Sequence, residues 1–153
     1  MTWRKAPPWA RKNANGQESK FGNRTSRGLD GRSYHSALEA VASNWLLAQE
    51  QAGEITILKR QQHIHLFSED VKLCEYWPDF TVRDNETGEI YWVEAKGKEN
   101  TDWLIKLNLW RAGGPGRLDL IKGDWRRPHL AETIRPVSPG KHVRHDQVYG
   151  RLT

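Results

Sequence analysis

One cysteine, one methionine and three phenylalanines are all that the chain holds of these residues. The single Cys74 excludes an internal disulfide and a cysteine-built zinc site, and it fits a reducing compartment. No apolar run approaches the roughly 18 residues that a membrane-spanning helix needs. The opening "MTWRKAPPWARKNANGQ" has no apolar core of the kind a secretory signal requires. The expectation is a cytoplasmic protein. At 153 residues the chain suits one domain with a modest core. Internal repeats are also lacking.

Charge is present in both signs, and unevenly. Residues 1–32 hold eight Lys/Arg and two Asp/Glu, residues 33–110 seven against thirteen, and residues 111–153 nine against four. An acidic middle thus lies between two basic ends, within a net charge of +5. Solvated termini would explain the ends alone. A polyanion held by the ends, while acidic groups in the middle act on it through bound cations, explains the whole pattern.

The sequence divides into a basic arm over 1–31, a core over 32–123 and a basic extension over 124–153. The first arm, rich in Gly, Asn, Ser and Pro, lacks apolar periodicity. Its Trp3 and Trp9 fit either stacking on bases or docking on the core. "SYHSALEAVASNWLLAQEQAG" predicts a helix, with Ser33 as N-cap and Gly53 as its stop. Leu38, Val41, Ala42 and Trp45 form the stripe, and Glu39 lies beside it. "EITILKR" and "QQHIHLF" predict strands, or one long bent strand. "FSEDVKLCE" reads as a turn and an approach. "YWPDFTVRD" and "GEIYWVEAKG" predict two strands joined by the four-residue turn "NETG". "NTDWLIKLNLWRAGG" predicts a helix capped by Asn100 or Thr101, with Trp103, Leu107 and Trp110 on its buried stripe. "GRLDLIKG" predicts a last strand, and the chain beyond residue 123 reads as irregular. The order helix, strand, strand, strand, helix, strand predicts an α/β sandwich with a mixed central sheet flanked by helices.

The hairpin register places Asp79 directly opposite Glu94, with Cβ atoms about 4.5–5.5 Å apart. Alternation puts Lys96 on the face of Glu94 and leaves Phe80, Val82, Tyr91, Val93 and Ala95 for a core face. Opposed carboxylates repel, and a divalent cation between them removes that cost. Mg²⁺ takes oxygen ligands of this kind, and the backbone carbonyl of Ala95 offers one more. Lys96 is placed to hold an attacking water and to offset charge developing on a phosphate. An ordinary surface hairpin with a solvated Glu94–Lys96 pair is the plainer alternative.

"PDF" followed by "VEAKG", with "HSALEA" upstream, resembles the PD-(D/E)xK nuclease superfamily, whose fold is restriction-endonuclease-like. Within it the three motifs are similar to the endonuclease I Holliday junction resolvases of T7-like phages. They are also similar to other phage nucleases and, more distantly, to the end-cutting endonucleases of Tn7-like transposons. The resemblance spans about residues 33–122. It implies that Asp79, Glu94 and Glu39 bind Mg²⁺ (Mn²⁺ substituting), that Lys96 positions water, and that the product is hydrolysed DNA. It departs from the resolvases in the Glu39-to-Asp79 interval and after Lys122. A homodimer acting on branched DNA is the first expectation. The alternatives are a replication, packaging or end-cutting nuclease of the same fold, or a DNA-binding component of a phage particle without turnover.

DNA contacts are expected from Arg4, Lys5, Arg11 and Lys12 in the first arm, from Lys98 and Lys106, and from Trp125, Arg126 and Arg127, where the tryptophan suits stacking on unpaired bases. Trp77 and Trp92 are further candidates to flank the active face, whereas Trp45, Trp103 and Trp110 read as core. Some members of the superfamily use a Gln near the metal, which brings in Gln61 and Gln62, although polar strand ends explain both. His63 and His65 share a strand face; metal ligation is one reading of the pair, but the better oxygen site lies elsewhere and alternation explains them. His35 is a candidate to approach the phosphate.

Overall fold

The computed structural model describes residues 26–68 and 71–138. Among them lie strands β1 (Ser26–Arg27) and β2 (Ser33–Tyr34), helix α1 (Ala37–Gln51), strands β3 (Ile55–Arg60), β4 (Ile64–Ser68), β5 (Val71–Tyr76), β6 (Phe80–Asp84) and β7 (Ile90–Ala95), helix α2 (Thr101–Gly113), and strands β8 (Leu118–Lys122) and β9 (His129–Ile134). The central sheet runs β3-β6-β7-β8-β9. Its pairs are antiparallel except β7 with β8, which are parallel. The protein is therefore α/β with a mixed central sheet.

The β6–β7 hairpin takes the expected register, with Phe80 opposite Val93 and Val82 opposite Tyr91. The turn residues enforce it. Asp84 Oδ1 accepts from the backbone N–H groups of Glu86 and Thr87, and Gly88 takes φ 77°, which a side chain would resist. Asp84 N–H donates to the Glu89 carbonyl at 2.9 Å, closing the turn.

Both faces of the sheet are covered. On one, Leu38, Ala42 and Leu46 of α1 meet Phe80, Val82, Tyr91, Val93, Ala95 and Ile121. On the other, Trp103, Leu107 and Trp110 of α2 meet Trp92, Leu118 and Leu120. The stripe expected for α2 is the stripe it buries, and Asn100 is its cap, accepting from Trp103 N–H at 2.8 Å. For α1 the cap is Ser36, whose hydroxyl accepts from Glu39 N–H at 3.1 Å. Ser33, the residue expected there, belongs to β2.

Three further departures concern segments that read as irregular in the sequence. "VKLCEY" is a full strand, β5, which pairs with β4 as a ribbon separate from the sheet. The ribbon lays Ile64, Leu66 and Tyr76 over the α2 side of the core. "HLAETI" is the edge strand β9, which corrects the expectation of an irregular extension from residue 124. Ser26 and Arg27, inside the stretch read as an arm, pair with β2, and Leu29 N–H reaches Asn44 Oδ1 at 2.8 Å. Trp92, expected to flank an open face, is fully buried. Its indole N–H donates to Gln62 Oε1 at 3.2 Å, and the Thr81 hydroxyl donates to the same oxygen at 2.7 Å.

Candidate active site

The chain kinks between β3 and β4. Gln61 takes φ 49°, the sole positive φ at a non-glycine residue among those described. Its N–H donates to the Asp79 carbonyl at 3.1 Å, which ties the kink to the start of β6. The left-handed residue sends two neighbouring glutamines different ways. Gln62 enters the core beneath Trp92, and Gln61 reaches the carboxylates.

Gln61 Nε2 donates to Asp79 Oδ1 at 2.9 Å and lies 3.4 Å from Glu39 Oε1. Asp79 Oδ2 accepts from Ala95 N–H at 2.8 Å, across the open end of the hairpin. Glu39 Oε2 accepts from His35 N–H at 3.2 Å. Glu94 is buried on the next strand, beside the Tyr76 hydroxyl and the Asp79 backbone. Burial, and then the charges of Glu94 and Asp79, push the Tyr76 hydroxyl, which lies beside Glu94 and Trp103, well above the ordinary phenol range. One cleft of about 500 Å³ is lined by Glu39, Gln61, Asp79, Glu94, Ala95 and Lys96, with His35, Lys98 and Glu99 also on its wall. Helix α1, the start of β6 and the end of β7 thus bring together the three acids and the lysine picked out from the sequence.

The electrostatics follow from burial. Loss of water, and then the charge of Glu39, pushes the Asp79 carboxyl up to about 7. Loss of water and then Asp79 hold Glu94 well above the ordinary carboxylate range. Glu39 is raised for the same first reason, opposed by its hydrogen bonds from His35 and Gln61. Lys96 favours the charged form of both Asp79 and Glu94 without closing an ion pair on either. Its ammonium sits 5.8 Å from the centre of the Trp103 ring.

Three buried carboxyls that resist ionising offer oxygens of the kind a hard divalent cation takes. Glu39, Asp79 and Glu94 supply only oxygens, so the residues fit Mg²⁺ better than a softer metal.

The other expected residues divide. Lys98 and His35 line the cleft. The turn carrying Trp125, Arg126 and Arg127 follows β8, and a side chain on Gly97 would come 3.7 Å from the Gly123 carbonyl, so this turn adjoins the Lys96 end of the cleft. Arg126 lies over the Trp125 ring at 4.9 Å. Lys106 does not line the cleft; its charge reaches the Cys74 thiol of β5 from α2. His63, just before β4, and His65 within it do not line the cleft. Arg4, Lys5, Arg11 and Lys12, with Trp3 and Trp9, fall outside the described residues. Tyr76 was not foreseen, and its sequence context offers no signal beyond a strand-end aromatic.

A recess of about 590 Å³ beside Leu47, Glu50 and Lys59 holds no comparable cluster. Its Asp30 is taken up by Arg32 and Arg60. No helix among the described residues is long and apolar enough to cross a membrane. No family model, curated protein or solved structure matches the chain.

Proposed function

We propose that this protein is a divalent-cation-dependent endodeoxyribonuclease of the PD-(D/E)xK type, with a restriction-endonuclease-like core. The observation that carries the reading is the convergence of buried Glu39, Asp79 and Glu94 beside Lys96 in one cleft. The sheet order and the position of α1 under the acid-bearing strands support the same reading.

Glu39, Asp79 and Glu94 would hold Mg²⁺, with the Ala95 carbonyl as a further oxygen at the cleft wall. When bound, the cation supplies Lewis-acid polarisation of a phosphodiester and lowers the pKa of a water. The chain's own groups do the rest. Gln61 and Ala95 N–H fix the Asp79 carboxylate through both of its oxygens. Lys96, unpaired with either acid, orients the attacking water and balances charge that grows on the phosphate. Lys98 at the cleft and Arg126 and Arg127 beside it take flanking phosphates, and the basic residues 1–25 add further contacts. Cutting both strands needs two sites, so the active species is a homodimer, and a four-way junction is the first substrate by resemblance.

The test is cleavage of linear, nicked, single-stranded and four-way DNA with Mg²⁺, by the wild type and by Asp79→Asn, Glu94→Gln and Glu39→Gln. Loss of cutting with retained folding and DNA binding is expected for each. Full activity in excess EDTA, or in Asp79→Asn, overturns the reading. Cutting of linear duplex alone would remove the junction and retain the nuclease.

A further inference from the structure

A second donor cluster lies on the outer face of the β4–β5 ribbon. Alternation along the ribbon turns Ile64, Leu66 and Tyr76 inward to the core. It turns His65 and, across the register, Glu75 outward. His63, two residues before His65, joins them. The Nε2 atoms of His63 and His65 are 2.9 Å apart. Glu75 Oε1 is 3.6 Å from His63 Nε2 and 3.4 Å from His65 Nε2.

These spacings are those of a metal's coordination shell. Zn²⁺ binds His nitrogen at about 2.0–2.1 Å and carboxylate oxygen at a similar distance, so tetrahedral geometry puts neighbouring ligand atoms about 3.3 Å apart. The three measured separations bracket that value. The His63 ring is also held from behind, stacked on Trp77 at 4.3 Å between centres and 1° between planes, as an outer partner orients a metal-binding imidazole. Lys72 competes for the carboxylate, its Nζ lying 2.9 Å from Glu75 Oε1.

We infer that His63, His65 and Glu75 form a Zn²⁺ site, with a fourth position open to solvent water, that staples β4 to β5. The site differs in chemistry from the carboxylate cleft: two imidazoles suit a borderline-soft ion, and all-oxygen donors suit Mg²⁺. It needs neutral histidines, so binding releases protons and weakens in acid. It stands independently of the proposed nuclease activity.

The experiment is a calorimetric titration of ZnCl₂ into untagged full-length protein, stripped with EDTA and returned to buffer with millimolar Mg²⁺. One equivalent of Zn²⁺ is expected to bind, and to raise the thermal midpoint. The His63→Gln/His65→Gln double variant and Glu75→Gln should each weaken binding at least about tenfold and lose the thermal shift. Their circular dichroism in EDTA should match the wild type, because all three side chains are partly exposed. Lys72→Ala should tighten binding by removing the competing ammonium. Zn²⁺ affinity unchanged in both His and Glu variants overturns the proposal. So does loss of Zn²⁺ binding in Asp79→Asn alone, which would assign the ion to the carboxylate cleft.

Discussion

Three acids held in one buried cleft make stability depend on pH in an unusual direction. The usual surface carboxylate is paired, ionises more readily in the folded state, and stabilises the fold above about pH 4. Asp79 does the reverse. Its folded value is about 7 against an ordinary 3.8. Below pH 4 both states hold the proton and no difference arises. From there to about pH 7 the unfolded chain ionises and the folded one does not, so stability falls as pH rises. The slope is about 1.4 kcal/mol per pH unit, giving about 4 kcal/mol across the window. Raised Glu39 and Glu94 act in the same direction. The assay is urea unfolding in EDTA at several pH values from 4 to 7.5, for wild type and Asp79→Asn. The Asn variant carries a roughly constant offset. Its amide keeps one acceptor for Ala95 N–H, and Gln61 must turn over to accept from the other atom. Its slope with pH should be shallower by about 1 kcal/mol per unit, and added Mg²⁺ should lift wild type at pH 7 more than the variant. Parallel pH curves for the two proteins in EDTA would refute the reasoning.

Other consequences can be checked separately. Lys96→Met should remain folded within about 1 kcal/mol, since Lys96 closes no ion pair on the acids, yet lose about 10²–10³ in single-turnover cleavage. Near-wild-type rates at saturating Mg²⁺ would leave Lys96 without a catalytic part. Gln61→Gly should be more stable than Gln61→Ala by about 1 kcal/mol, because both lose the amide and only glycine takes φ 49° freely; equal unfolding midpoints would contradict this. Deleting residues 1–25, which stops short of β1, should flatten the salt dependence of duplex binding by a log–log slope of about 0.9 per lost phosphate contact. An unchanged slope would exclude the arm from the DNA contact.

What could be read from the sequence depended on the range of the interaction. The Asp79–Glu94 register was legible because a period of two and a four-residue turn fix it locally. The stripe of α2 was legible for the same reason. The cover over Trp92 was not, because α2 and the β4–β5 ribbon reach it from distant parts of the chain. β5 and β9 were missed because each is largely exposed and carries polar side chains, Lys72 and Glu75 on one and His129 and Glu132 on the other, which weakens the apolar signal. The Gln61 kink has no signal at all: a glutamine is a poor advertisement for left-handed backbone. Its pull on two carboxylates emerged only once β3 and β6 were side by side.

That the cleft draws on α1, the β3–β4 kink, the start of β6 and the end of β7 bears on the life of the chain before it is finished. None of these segments holds the cleft alone, and β7 lacks one of its two neighbours until β8 arrives by its parallel crossover. Contacts of such sequence separation form late, after their loops have closed. On the nuclease reading proposed above, a nascent or partly refolded chain would have its basic segments but no assembled acid cluster, so it would grip nucleic acid before it could cut it. In refolding, regained cutting would trail regained helix signal, and the lag would time the closing of the sheet.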